Sequence, residues 1–309
     1  MTSALIDIAP TENRPTAWPT ALAARPIEDA EIDRLAHGLH GGSSFAPGAP
    51  RLLSALLDDR LDMDTLAARV SAEPGLAIRV LRVANSPFYG HAGTVASVGR
   101  AAQVLGMQAL RGIAAAACFG SLGIPPRGTR GLNMEAFRHH GLATACAGQR
   151  LAEHLAPALV DEAFMAGLLH DLGMLVQWWL RPQAMAWLTE SVPAAQRWST
   201  EVALIGASHA HCGQRLLTAW QLPATLVQAI GAQHTGAAHG LPVHASGEPL
   251  ALASLLTLAD RLAVDAGHTL DGDEPAIDLP TEGPLAEHCG NVAAALPATL
   301  LRLGGAVGG

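Results

Sequence analysis

Histidine and aspartate stand side by side in the run Leu168-Leu169-His170-Asp171-Leu172-Gly173, with apolar residues on both sides. An imidazole and a carboxylate set into an apolar helix are costly to bury without partners. A divalent metal takes both, one nitrogen and one oxygen donor together. A hydrogen-bonded core pair would satisfy them too. More of the same chemistry lies along the chain. His139 and His140 fall near the start of one helical stretch. His209 and His211 open another behind Ser208, a suitable N-cap, and His234 ends the next. Asp260 sits in the apolar run Leu256-Thr257-Leu258-Ala259-Asp260. Each histidine alone is better explained by a surface or satisfied core position. Six ligands drawn from five helices could instead converge on one site. Mixed nitrogen and carboxylate donors suit iron, manganese or zinc, in a mononuclear or dinuclear centre. Such a metal could activate water for phosphoester cleavage or act as a structural staple.

A second group lies earlier. Asn85, Ser86 and Tyr89, the only tyrosine, fall in Asn85-Ser86-Pro87-Phe88-Tyr89. They suit a helix-capping turn better than a ligand or lobe–lobe contact. Arg79 and Arg82 are three apart and share a helix face. They suit solvent, an ion pair with another lobe, or a phosphate.

The elements that must position these residues are helices. Half of the 309 residues are hydrophobic, 15% are charged and 4% aromatic, which excludes disorder along the whole chain. Alanine and leucine dominate, with few β-branched runs, so the expected class is all-α, in two packed helical lobes. Residues 1–47, rich in proline and glycine, read as a flexible leader with one short helix over Glu28 to Leu39. Apolar periodicity over 48–122 gives a five-helix N-terminal lobe. Residues 123–132 read as a linker. A second lobe at 133–267 holds helices over 133–154, 161–180, 182–190, 194–204, 208–219, 223–234 and 248–266. Residues 268–309 read as a tail with a helix at 291–303.

The net charge of -8 and an all-arginine set of 19 basic residues give no footprint of a general nucleic-acid binder. Cys118, Cys146, Cys212 and Cys289 are far apart, which argues against a disulfide scaffold or zinc ribbon and fits a reducing compartment. No secretory pattern and no membrane-length apolar run is seen, so a cytoplasmic location is expected.

Phe137-Arg138-His139, His170-Asp171, His209-Ala210-His211-Cys212-Gly213, His234 and Asp260 resemble the HD superfamily of metal-dependent phosphohydrolases. The resemblance implies that His139, His170, Asp171 and Asp260 bind metal. His209 and His234 match two further histidines of the HD-GYP cyclic-di-GMP phosphodiesterases. The first lobe is similar to the HDOD domain, in Ser71-Ala72-Glu73-Pro74-Gly75-Leu76, in Arg79 to Gly90 and in Val104 to Leu110; so is Trp220-Gln221-Leu222-Pro223. That likeness spans residues 48–266 and makes the second lobe an HD-like bundle. It implies a bacterial signalling module without efficient catalysis, tied to cyclic-di-GMP or chemotaxis circuits, that binds a partner protein or a nucleotide. The alternative is a metal-dependent phosphohydrolase acting on a nucleotide or cyclic dinucleotide. A DNA-associated regulator is a third reading, against which the acidic balance stands. Two departures oppose diesterase activity. Met174 stands where those enzymes have a lysine, which would bring positive charge to a phosphate. Gly-Tyr-Pro is absent after His234, and Gln233 replaces a paired histidine. Arg181 and Arg215 are the candidates to restore the charge.

Overall fold

The computed structural model describes residues 25–38, 49–58, 60–86, 89, 94–120, 133–234, 251–269, 279 and 281–307. Among them there is no strand, so the all-α expectation holds. The expected linker at 123–132 and the segment 235–250 after His234 lie outside the described residues.

Helices α2 (Ala49–Leu56), α3 (Met63–Ser71), α4 (Pro74–Ala84), α5 (Val98–Leu105) and α6 (Met107–Gly120) form the first lobe. Their starts follow local chemistry. Asp62 caps α3 by accepting from the Thr65 amide, Ser97 caps α5 by accepting from Arg100, and Pro74 opens α4. Gly106, at φ 80°, ends α5 in a conformation that side chains disfavour. Asn85 ends α4 and has a structural job. Its amide nitrogen donates to Leu81 and Val95 carbonyls at 2.9 and 2.8 Å, and its oxygen accepts from the Val95 amide at 3.0 Å.

The second lobe holds α7 (Met134–Leu155), a 3-10 turn (Pro157–Leu159), α8 (Val160–Leu169), α9 (Leu172–Leu180), α10 (Pro182–Ser191), α11 (Ala194–Ile205), α12 (His209–Ala219), α13 (Ala224–Ala232) and α14 (Leu252–Asp265). One expectation changes: the single helix over 161–180 is two, broken at His170-Asp171. Long α7 is its axis, and the chain's alanine and glycine explain how closely it is approached. A Cβ on Gly167 of α8 would fall 2.5 Å from the Ala145 nitrogen, and one on Gly148 would fall 2.9 Å from the Ala163 carbonyl. The α7 and α8 backbones are therefore nearly in contact, and side chains on their shared face meet at short range.

Two described segments outside the lobes are docked. Residues 29–36, within the expected leader, form α1 (Asp29–Ala36) against α12 and α9, with Ile32 and Leu35 fully buried. The tail helix is longer than 291–303. It runs as α15 (Gly283–Val307), includes Pro297, and lies against α7, α6 and α4. All four cysteines are buried, and none of them is in a disulfide. No described helix is long and apolar enough to cross a membrane.

Candidate metal centre

The helix break aims the His–Asp pair. His170 ends α8, and Asp171 precedes α9 with φ −96° and ψ 6°. The carbonyl freed at the break accepts from the buried Gln233 amide at 3.1 Å, so this glutamine braces the bend. Gly173 lets α9 bend close to α12, since a Cβ there would collide with the His209 carbonyl.

Around the break, side chains of three further helices and of the turn after α13 meet. His140 Nε2 lies 3.2 Å from His170 Nε2, 3.4 Å from Asp171 Oδ2 and 3.2 Å from Asp260 Oδ1. His170 Nε2 is 3.2 Å from Asp171 Oδ2 and 3.7 Å from Asp260 Oδ1. The other Asp171 oxygen faces His209, 3.7 Å from its Nε2, and His209 Nε2 lies 2.8 Å from His234 Nε2. Asp171 thus links two halves: His140, His170 and Asp260 on one side, His209 and His234 on the other.

Five of the six residues expected as ligands are brought together: His170, Asp171, His209, His234 and Asp260. His139 is not; it is exposed, and the buried His140 takes its place. Adjacent helical residues point about 100° apart, so only one of the two can face the α8 side of α7.

The proton positions follow from the outer contacts. His140 Nδ1 is 2.7 Å from the His268 carbonyl and His170 Nδ1 is 2.8 Å from the Gly167 carbonyl. Carbonyls only accept, so both rings donate at Nδ1 and turn Nε2 to the cluster. His209 Nδ1 lies 2.8 Å from Glu201 Oε2, and the same carboxylate accepts from the His209 amide. Glu201 is buried and escaped the sequence reading. Its one signal there was a carboxylate between apolar Val202 and Leu204 and the helical turn before them. The His268 and Gly167 carbonyls carry no signal in side-chain type.

Burial disfavours charge on His140, His170 and His209, but the facing carboxylates outweigh it. Asp260 and Asp171 raise His140, Asp171 and Asp260 raise His170 well above the usual imidazole range, and Glu201 lifts His209 to about 9. Asp171 and Asp260 are held below the carboxylate range, against burial, by these histidines. His234 goes the other way, to about 4, through burial and then His209. The cluster calls for positive charge at its centre. With Nδ1 committed outward, neutral His140 and His170 would set two lone pairs 3.2 Å apart, which a cation or an added proton relieves.

A metal fits this donor set. Ligand atoms of His140, His170 and Asp260 all lie within 4.8 Å of one another. Separations of 3.2–3.7 Å are those of neighbouring donors on one ion with bonds of about 2.0–2.2 Å. Carbonyls and a carboxylate behind the imidazoles are the usual outer support of metal-bound histidines.

The arginines do not restore charge here. Arg181 bonds Glu31 at 2.9 Å together with the Arg25 and Pro26 carbonyls, and Arg215 bonds Asp33 at 2.6 Å. Met174 is partly buried against the core. In the first lobe, Arg79 and Arg82 stay on α4, and burial, then Arg82, lowers Arg79. Ser86 Oγ is buried, and Tyr89 lies against the core. None of these five first-lobe residues, Asn85 included, joins the histidine cluster.

An all-helical bundle with histidine and aspartate ligands converging at a broken His–Asp helix is the architecture of the HD class. The HDOD domain model matches residues 44–236, and the chain belongs to that family. Asp260, on α14, lies beyond the matched residues. No curated protein matches the chain. Among solved structures it is similar to a protein provisionally named a phosphohydrolase from Shewanella amazonensis SB2B, at 23% identity and TM-score 0.65, covering 90% of this chain and 98% of that one. An HDOD domain protein of unknown function from Geobacter sulfurreducens gives 22%, 0.64, 91% and 98%. A protein provisionally named for signal transduction, from Marinobacter aquaeolei VT8, gives 22%, 0.67, 93% and 68%. At these identities the likeness is one of fold.

Proposed function

We propose that this chain is a metal-holding regulatory module of the HDOD type, which works by binding a partner protein or a nucleotide and has no efficient hydrolase activity. The observation that carries the reading is where the positive charge has gone. A phosphoester needs cations beside the metal to hold its oxygens. The two arginines suited to that task are bound instead to α1 carboxylates, and methionine stands in the lysine position. His140, His170, Asp171 and Asp260 would hold one metal, and Asp171, His209 and His234 a second. When bound, such a metal supplies Lewis acidity and an acidified water. Without hydrolysis it holds α7, α8, α12 and α14 in one arrangement, which a regulatory module can present to a partner. The signalling name of the Marinobacter relative is in keeping with this.

The second reading, a metal-dependent phosphohydrolase acting on a nucleotide or cyclic dinucleotide, is favoured by one feature: the ligand set is complete and its outer supports are intact. One experiment separates the two. Metal is measured by mass spectrometry on untagged protein and on the His170→Ala/Asp171→Ala variant, with hydrolysis of bis(p-nitrophenyl) phosphate assayed on both. Metal lost in the variant, with hydrolysis at background in both, is the expected result. Hydrolysis that the variant abolishes establishes the second reading instead.

A further inference from the structure

Helix α1 is seated as a ligand in a groove. Its floor and walls are α12, α9 and the α11–α12 turn. Ile32 and Leu35 are fully buried there, Pro26 lies against Gly206, and the Ile27 amide donates to the Ile205 carbonyl at 2.8 Å. The polar side of α1 is acidic and the groove answers it with two arginines and a histidine. Asp29 lies 2.8 Å from His211 Nε2 and 3.6 Å from Arg215, and Asp33 lies 2.6 Å from Arg215. Glu31 is nearly buried on Arg181 at 2.9 Å, and Trp220 Nε1 donates to the Ala36 carbonyl at 3.4 Å. Acidic residues at i, i+2 and i+4 with apolar residues at i+3 and i+6 form the recognition pattern of a helix-in-groove contact.

Helix α1 depends on this contact: it has only eight residues, and helices shorter than about 12–15 residues are marginal without packing. It lies outside the family match, 44–236, as do α14 and α15, while the groove on α9 and α12 lies inside that match. The groove adjoins the histidine cluster. His209 is the first residue of α12, Asp171 immediately precedes α9, and the two helices touch through backbone at Gly173 and Gly213.

We propose that the α9–α12 groove is a receptor for an acidic amphipathic helix of a partner protein, with α1 as the resident occupant which that helix displaces. This rests on the regulatory reading for its role and names the partner class. Arg181 and Arg215 supply charge selection, His211 a hydrogen bond to Asp29, and the pocket for Ile32 and Leu35 supplies affinity.

The test uses the full chain and a fluorescein-labelled peptide of residues 25–38, followed by anisotropy. In the wild type, α1 competes at the high effective concentration of a tethered segment, and the peptide binds weakly. Ile32→Asp should free the groove and tighten peptide binding by about tenfold or more, and adding Arg215→Glu should remove that gain. High salt should weaken the contact. Circular dichroism reports whether Ile32→Asp keeps its helices. If it does not, Asp33→Arg, which only sets like charges at the exposed rim, takes its place with the same expected gain. A folded variant that binds the peptide no better than wild type overturns the proposal and makes α1 an ordinary part of the fold. Metal content and hydrolysis on the same preparations are read separately, so either reading can fail without the other.

Discussion

His140, His170 and His209 each give Nδ1 to a carbonyl or carboxylate outside the cluster, which leaves Nε2 as the atom that faces Asp171 and Asp260. Two consequences are measurable at the level of single residues. Substituting His140 by alanine should abolish metal retention in its half of the site, whereas His139→Ala, at an exposed position, should leave metal content unchanged. Elemental analysis of the two variants decides this, and equal loss in both would refute the placement. Glu201→Gln keeps the shape but removes the charge behind His209. Losing such an outer partner typically costs about 10–100-fold in metal affinity. Metal titration should therefore show the His209–His234 half weakened and the His140–His170 half retained. The ligand types and their order were legible in the sequence, because a carboxylate or imidazole in an apolar run must be accounted for. The choice between His139 and His140 was not. Both occupy the same helix one step apart, and only the direction from which α8 approaches α7 separates them. Glu201 was hidden for a related reason: its partner lies eight residues away across a turn.

At the scale of elements, the sequence predicts one helix over 161–180 because most of its residues are apolar and it contains no proline. The break at His170-Asp171 comes from outside the segment. The α12 backbone approaches at Gly173, and Gln233 from the end of α13 takes the freed carbonyl. Local periodicity carries no information about either. Gly173→Ala tests the contact directly. Its Cβ would meet the His209 carbonyl and the Gly213 nitrogen, both backbone atoms that cannot swing aside. A loss of at least about 1–3 kcal/mol is expected for such overpacking, visible as a lowered urea midpoint, and with it a displaced His209. Helix α1 supplies a pH prediction. Burial would raise the Glu31 carboxyl, but Arg181, the Glu28 amide and Arg25 bring it from 4.5 down to about 2. A carboxyl lowered on folding stabilises the docked state above its unfolded value, and the stabilisation is lost as pH falls from about 4.5 toward 2. Hydrogen exchange of the α1 amides should therefore accelerate across that window in the wild type. In Glu31→Gln it should already be fast at neutral pH and change little on acidification.

Across the whole molecule, α6 packs directly on α8 and α7, and two further devices join the first lobe to the second. Helix α15 spans them, touching α4 and α6 on one side and α7 on the other, with Val292, Leu296 and Leu303 buried beneath it. Composition could place a helix there but could not say what it covers, since its alanine-rich face would suit any apolar neighbour. The second device is Arg111 of α6. It donates to the Asp58 carbonyl of the first lobe at 2.9 Å and to the Asp161 carboxylate of α8 at 3.3 Å. Its side chain is only 11% exposed. Nothing in the spacing of Arg111 and Asp161, fifty residues apart, connects them. Because α15 and Arg111 both bind the lobes together, urea unfolding should follow a single transition by far-UV circular dichroism and tryptophan fluorescence alike. Arg111→Met preserves the apolar stem while removing the guanidinium, so the Asp58 carbonyl and the Asp161 carboxylate both lose a donor. Both acceptors are part-buried and water replaces the lost donor in part, so a loss toward the low end of about 1–3 kcal/mol is expected, and the midpoint should fall accordingly while the two probes still coincide. If instead the probes separate in the variant, the lobes unfold independently once this contact is gone, and α15 is not the cross-brace its position implies.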